Sequence, residues 1–350
     1  MPNLSQQYEV RNRANIVALN KRVAQTFQDA IAQLTLTASA IPFNGQIIAL
    51  DQFPALQQQI NQVIQSMGTV LYAAVVSGIS ASWDLSNEKN DILVDRRLAD
   101  ATPTPAASQV LYDPNGKALT EFIDRKEKGL DLSQRVYKQL DLFGPELERG
   151  LLVGIADGQS AAEMTQDLRQ YLKYPDKLFR RVRDEEGKLR LSKPAQDFHP
   201  GQGVYRSSYK NALRLGATET NMSYRKADNT RWGQLPFVVG YDIKLSGSHR
   251  KCDVCNKLAG AYPKDFVFIG WHPQCLCYMT PRLLTDKEYS SYEDEILGIG
   301  KFDGQAASEI KDTPEAFQDY LEKSKEQING WSNTPYWVRD NPGYTASLQE

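Results

Sequence analysis

Four cysteines occur in the chain, and all of them fall in one window: Cys252-Asp253-Val254-Cys255, nineteen intervening residues, then Cys275-Leu276-Cys277, with His272-Pro273 just ahead of the second pair. Thiolates are soft ligands that suit Zn²⁺ at about 2.3 Å, and the C-x₂-C spacing lets two sulfurs turn toward one tetrahedral centre. Cys275 and Cys277 are two positions apart, so in a strand both face the same side and close the site from the opposite flank. Five candidate ligands compete for four positions. All four cysteines form the leading set; Cys252, Cys255, His272 and one of Cys275 or Cys277 form the main substitute. His249 fits a surface position or a supporting one beside the ligands. The competing reading is two reduced or disulfide-paired cysteine pairs without a metal, and a cytoplasmic default favours the metal.

A catalytic zinc keeps one position open for water and has a Glu or His nearby as a proton shuttle. Here a full set of protein donors is at hand, and Asp265-Phe266-Val267-Phe268-Ile269-Gly270 reads as a core strand and turn. The expected site is therefore a structural zinc knuckle with no catalytic residues, and the chain is not read as an enzyme. The H-x-E with P-C-x-x-C of zinc deaminases is absent.

At 350 residues the chain suggests two domains and buries enough surface that size alone imposes no need for a metal. Its 41 basic and 43 acidic residues leave a net charge of −2, so attraction to DNA or an anionic membrane has to be local. The first thirty residues show no signal-peptide pattern. The apolar stretch Val70 to Trp83 is too short for a bilayer and is read as a packed helix, with no membrane partner.

Helical spacing runs through residues 4 to 38 on Ile16, Leu19, Val23, Phe27, Ala30 and Leu34. Phe53, Leu56, Ile60, Val63, Met67, Val70 and Ala74 then alternate steps of three and four, a coiled-coil-like seam closing within the chain or between chains as an oligomer contact. Residues 84–117 and 173–200 read as long loops; the second carries the most basic stretch, where Arg180, Arg181 and Arg183 are candidates for phosphate contact. Leu147, Leu151 and Ile155 lie on a helix that Asp157-Gly158 stops. Ser160-Ala161-Ala162-Glu163 then opens another as a capping box, burying Met164, Leu168 and Tyr171. A helix from Tyr205 to Ala227 sets Glu219 beside an apolar stripe, where a carboxylate needs a partner. Val239 to Leu245 alternates as a half-buried strand. The fold class is α+β: a mainly helical N-terminal region over 1–200 and a smaller zinc-stabilised α+β domain over 201–284. Residues 285–350 follow as a C-terminal helix, with Phe317, Leu321 and Ile328 on one side, and an aromatic docking tail holding Trp331, Tyr336 and Trp337.

The run Ala217-Thr218-Glu219-Thr220-Asn221 on a helix, then a strand, Cys252-x-x-Cys255, Leu258-Ala259-Gly260 and His272-Pro273-x-Cys275-x-Cys277, resembles the phage Mu F-like minor head protein, or phage head morphogenesis, domain over about residues 205 to 283. Members of that family often carry Arg where this chain has Ala217 and Leu276. The resemblance implies a low-copy protein of a tailed-phage head, inside the virion near the portal and in the host cytoplasm during assembly. Its partners would be the portal protein, with scaffold or major capsid protein and packaged DNA as further contacts. The competing functions are a zinc-dependent nuclease and a DNA-binding zinc module. The nuclease centre would need Asn and His ligands downstream, and no histidine follows His272 in this chain.

Overall fold

The computed structural model describes residues 3–42, 49–175, 181–191, 207–247, 252–302, 306–331 and 333–348. Its first half is a run of helices: α1 (Leu4–Ala38), α2 (Pro54–Leu98), α3 (Pro105–Leu111), α4 (Gly116–Asp124), α5 (Leu132–Ala156) and α6 (Ala161–Lys173). A small antiparallel hairpin follows, β1 (Arg181–Arg183) with β2 (Leu189–Leu191). The second half holds α7 (Ser208–Gln234), β3 (Val238–Lys244), α8 (Asp253–Lys257), β4 (Gly260–Tyr262), β5 (Tyr278–Leu283), α9 (Asp286–Ile296), α10 (Glu315–Asn329) and α11 (Tyr336–Arg339). The protein is thus a mainly helical α+β fold. It divides into two units, each discontinuous in sequence: residues 17–77 with 124–217, and residues 1–16, 78–123 and 218–350.

Among the described residues the first of these units is helical, apart from the hairpin. Leu19, Val23, Phe27, Ala30 and Leu34 are buried along α1, as their spacing predicts, and Phe27 meets Phe143 edge-on at 4.7 Å between ring centres. The α2 seam is buried at Leu56, Ile60, Val63 and Met67 and then shifts: Leu71 replaces Val70, which is exposed. A straight helix drifts away from a strict seven-residue repeat, so the inward face moves on by one position after three turns. The Asp157-Gly158 stop and the Ser160–Glu163 capping box both form, the latter with reciprocal side-chain and backbone hydrogen bonds. Residues 173–200, expected as a loop, contain the β1–β2 hairpin. Asp184 draws it together by accepting from the backbone N–H of Glu186 and Lys188.

In the second unit the expected loop over 84–117 is corrected. α2 continues to Leu98, and α3 and the start of α4 follow. The polar residues that broke the hydrophobic pattern point inward and find partners on α7. Ser86 and Asn90 donate to Asp228 Oδ1, Lys89 reaches Asp228 Oδ2 at 2.5 Å, and Trp232 Nε1 donates to Asn90 Oδ1. Lys89 also lies over the Tyr224 ring at 4.7 Å. A buried charge is tolerable when it is paired and hydrogen-bonded, and this one is both. By length and hydropathy α2 also holds a window apolar enough to cross a membrane; its Leu71, Val75, Ile79 and Trp83 are buried in the protein.

Three antiparallel strands in the order β4-β3-β5 complete this unit. Gly240, with φ +149°, sits at the irregularity in the β3–β5 register; a Cβ there would stand 2.7 Å from Ile310, whose N–H donates to Val239 O. The core behind the sheet is aromatic: Trp232, Tyr241, Tyr262, Phe266, Phe268 and Trp271. The segment expected as a docking tail supplies Phe317, Leu321, Ile328, Trp337 and Leu348 to this same core, while Trp331 is 40% exposed.

One buried carboxyl gives the first unit a pH response. Glu146 on α5 accepts from the hydroxyl and the backbone N–H of Ser208, the first residue of α7, and burial raises its pKa to about 7 against those bonds. The folded state therefore holds a proton that the unfolded chain releases near its ordinary value of 4.5, so this group's contribution to stability falls as pH rises from about 4.5 to about 7. Glu146→Gln should flatten that slope and raise stability at pH 8 by about 1–3 kcal/mol, at roughly 1.4 kcal/mol per pKa unit. Urea denaturation across this pH range checks it; an unchanged slope contradicts it.

Candidate metal centre

The chemistry of the cysteine window begins on α7, the long helix that precedes it. Asn221, Arg225 and Asn229 recur at intervals of four along one buried face, and each is engaged with the segment that carries the candidate ligands. Asn221 Nδ2 donates to Cys275 O at 2.7 Å. Arg225 donates to Ile269 O at 3.0 Å, Cys275 O at 2.7 Å and Cys277 O at 2.5 Å. Asn229 bonds both ways with the backbone of Phe266 and Phe268. A relay of amides and a hydroxyl continues outward from Asn221 through Asn12 to Ser82.

Residues 265–270 are consequently not the strand that their apolar character predicts. Side chains do the work of a neighbouring strand: Asn229 serves Phe266 and Phe268, while Asn341 accepts from Val267 N–H and donates to Val267 O. Buried backbone groups need partners of some kind, and two asparagine amides meet the need without a ladder. Phe266 and Phe268 remain buried, so the apolar pattern reports burial here and not strand geometry.

Cys252 caps the short helix α8 and Cys255 lies in it, three residues on, so both thiols are presented by one turn. Cys275 and Cys277 precede β5 and are not within it, which corrects the expectation of a shared strand face. Cys275 N–H donates to His272 O at 3.1 Å in a turn where Gln274 has φ +58°. That turn brings the donors together by another route. His272 Nε2 lies 3.4 Å from Cys252 Sγ and 3.1 Å from Cys255 Sγ, and Cys255 Sγ lies 3.9 Å from Cys275 Sγ. Two groups of donor atoms, Cys252–Cys255–His272 and Cys255–Cys275–Cys277, each lie within 4.8 Å of one another and share Cys255.

All four cysteines are free thiols, so the disulfide-paired alternative does not hold. Tetrahedral bonding at about 2.3 Å to sulfur and 2.0 Å to nitrogen separates two sulfurs by about 3.8 Å and sulfur from nitrogen by about 3.5 Å. The three shortest separations lie near these values, while the donors group as two triads joined at Cys255 and not as a set of four, so one shared ion would draw the triads together. His272 Nδ1 is 2.9 Å from Pro273 O, a contact that, with the proton on Nδ1, leaves Nε2 free to bind. Hydrogen bonding from Cys255 and Cys277, with the charge of Arg225 acting in the same direction, holds the Cys275 thiol well below the ordinary cysteine range. Hydrogen bonding to Cys275 and Cys277 pushes the Cys255 thiol up. Crowded thiols cannot all ionise without a cation among them, and a metal would take the place of the remaining protons.

His249 and Arg180 lie outside the described residues, as does any side-chain statement about Arg181. Arg183 donates to Gly187 O, Lys188 pairs with Glu186, and Arg190 pairs with Asp184, so the hairpin's described basic side chains meet local oxygen atoms. Glu219 is buried on α7, as its place beside the apolar stripe predicts. Sequence reasoning passed over Arg225, Asn229 and Asn341. The repeat of polar residues every four positions on α7 was the available signal for the first two; Asn341 has none. No protein-family model, curated protein or solved structure matches this chain.

Alkylation of the denatured protein with chelator and without reductant should modify all four cysteines, as read by intact mass. Labelling of two or fewer would mean that disulfides form and would contradict the free-thiol site.

Proposed function

We propose that the cysteine window binds one structural zinc ion and that the protein is a minor component of a tailed-phage head, associated with the portal and acting in head assembly or in DNA packaging and ejection. The observation that carries this reading is the contact between two parts of the resemblance that are distant in sequence. The Thr218-Glu219-Thr220-Asn221 run and the Cys/His window meet where Asn221 donates to Cys275 O. The motif order that resembles the Mu F-like head domain therefore corresponds to one physical unit, a helix gripping a metal-binding loop.

Zinc is favoured over harder cations because the donors are sulfur and imidazole. Cys252, Cys255, His272, Cys275 and Cys277 are the residues that would hold it, and its contribution would be to tie α8 to the turn before β5. A structural role fits because the two donor groups contain no carboxylate and supply more than four protein ligands. Residues Cys255, Cys275 and Cys277 are buried. An assembly role gives the protein no reaction to perform, consistent with a loop clamped by main-chain hydrogen bonds on the side facing α7.

Purified under reducing conditions, the full chain should contain roughly one zinc per molecule, and Cys255→Ser should lose the metal and unfold at lower temperature. Co-expressed with the portal protein of the genome that encodes it, the chain should co-purify with that portal and appear in low copy in particles. Its absence from particles and from portal complexes, or a zinc-dependent cleavage of DNA, would contradict the proposal.

A further inference from the structure

Arg225 is buried to 2% exposure, yet every hydrogen bond it makes is to an uncharged main-chain carbonyl, at Ile269, Cys275 and Cys277. A buried guanidinium without an anion is costly, because the charge has left water and carbonyl dipoles only partly replace it. Glu9, an acid that feels its charge, has its carboxyl driven up toward the neutral form by burial. The sulfurs of the cysteine turn are further candidate anions. Two of the three carbonyls that Arg225 holds belong to cysteines of the Cys255–Cys275–Cys277 group.

The surrounding chain is shaped to admit the guanidinium at that place. Gly270 has φ +135°, and a Cβ built there would stand 2.9 Å from Arg225 Nη1 and 3.2 Å from the Cys275 Cβ. A side chain at 270 would push the arginine away from the cysteine turn or strain a backbone that L residues rarely adopt. The Phe268 ring, 5.4 Å from the guanidinium carbon, covers it from another side.

From this geometry we infer that Arg225 is a positioning and charge-balancing residue of the metal centre: its cation offsets the negative charge of a thiolate-rich zinc site, and its hydrogen bonds fix the turn that carries Cys275 and Cys277. The inference rests on the zinc reading and extends it. Zn²⁺ with three thiolates and a histidine carries a net charge of −1, and with four thiolates −2; either is stabilised by a buried cation, whereas a two-thiolate, two-histidine site is neutral and would not be. Partners that hold and orient the ligands typically change metal affinity by about 10- to 100-fold.

Zinc affinity of the full chain, measured by competition with a chromophoric chelator, tests this in wild type, Arg225→Gln and Arg225→Lys. Arg225→Gln should bind zinc about 10- to 100-fold more weakly, and Arg225→Lys, which keeps the charge, should lie closer to wild type. The temperature gap between zinc-loaded and metal-free unfolding should narrow in Arg225→Gln. A purely structural arginine would lower both unfolding temperatures together and leave zinc affinity unchanged, and that result overturns the inference. Should Arg225→Gln fail to fold, Arg225→Lys decides: affinity near wild type supports charge balance, and a loss of more than about 10-fold overturns it. A wild-type protein that binds no zinc would refute the metal reading itself, a separate outcome seen before any variant is compared.

Discussion

The second unit of this protein depends on holding several soft donors of like chemistry against one another inside a core. Thiols crowded to a sulfur separation of 3.9 Å, with an imidazole nitrogen 3.1 Å from one of them, repel once they ionise. Such a cluster persists when something binds the donors and when the backbone that presents them has nowhere else to go. α7 answers the second need. Asn221 and Arg225 take the carbonyls of Cys275 and Cys277, and Asn229 takes the backbone two turns of chain earlier. A metal would answer the first.

The same helix organises the rest of the unit. Its buried polar face continues beyond the cysteine turn to Asp228, where Ser86, Lys89 and Asn90 of α2 converge, and to Arg231, which reaches Asp91 and the carbonyls of Leu111 and Asp113. One helix thus pins the second half of α2 and the end of α3 with one end of its polar face and the candidate ligands with the other. Buried networks of this kind add specificity more than stability, since each member must be satisfied and few alternative packings satisfy them all. The aromatic core behind the sheet supplies the nonspecific share of the stabilisation through burial.

Much of the helical architecture was legible from spacing. The inward residues of α1, the capping box at Ser160 and the stop at Gly158 all follow from rules in which neighbouring positions decide the outcome. Legibility failed where partners are distant in sequence. Ser86, Lys89 and Asn90 look like a solvated break until Asp228, some 140 residues on, is brought beside them. Residues 265–270 look like a strand because periodicity cannot show that Asn229 and Asn341 occupy the edges where a ladder would form. The candidate ligands were legible because cysteine and histidine carry their chemistry locally, whereas the turn that unites them rests on Arg225, a residue whose charge is ordinary in sequence and unusual only in its surroundings.

Under the zinc reading, these donors would surround one ion in a closed, sulfur-rich shell. X-ray absorption at the zinc edge of the purified full chain tests it most directly. The expected first shell is dominated by sulfur at about 2.3 Å, with at most one nitrogen at about 2.0 Å. A shell made mainly of oxygen or nitrogen, or one with an exchangeable water among the ligands, would contradict it.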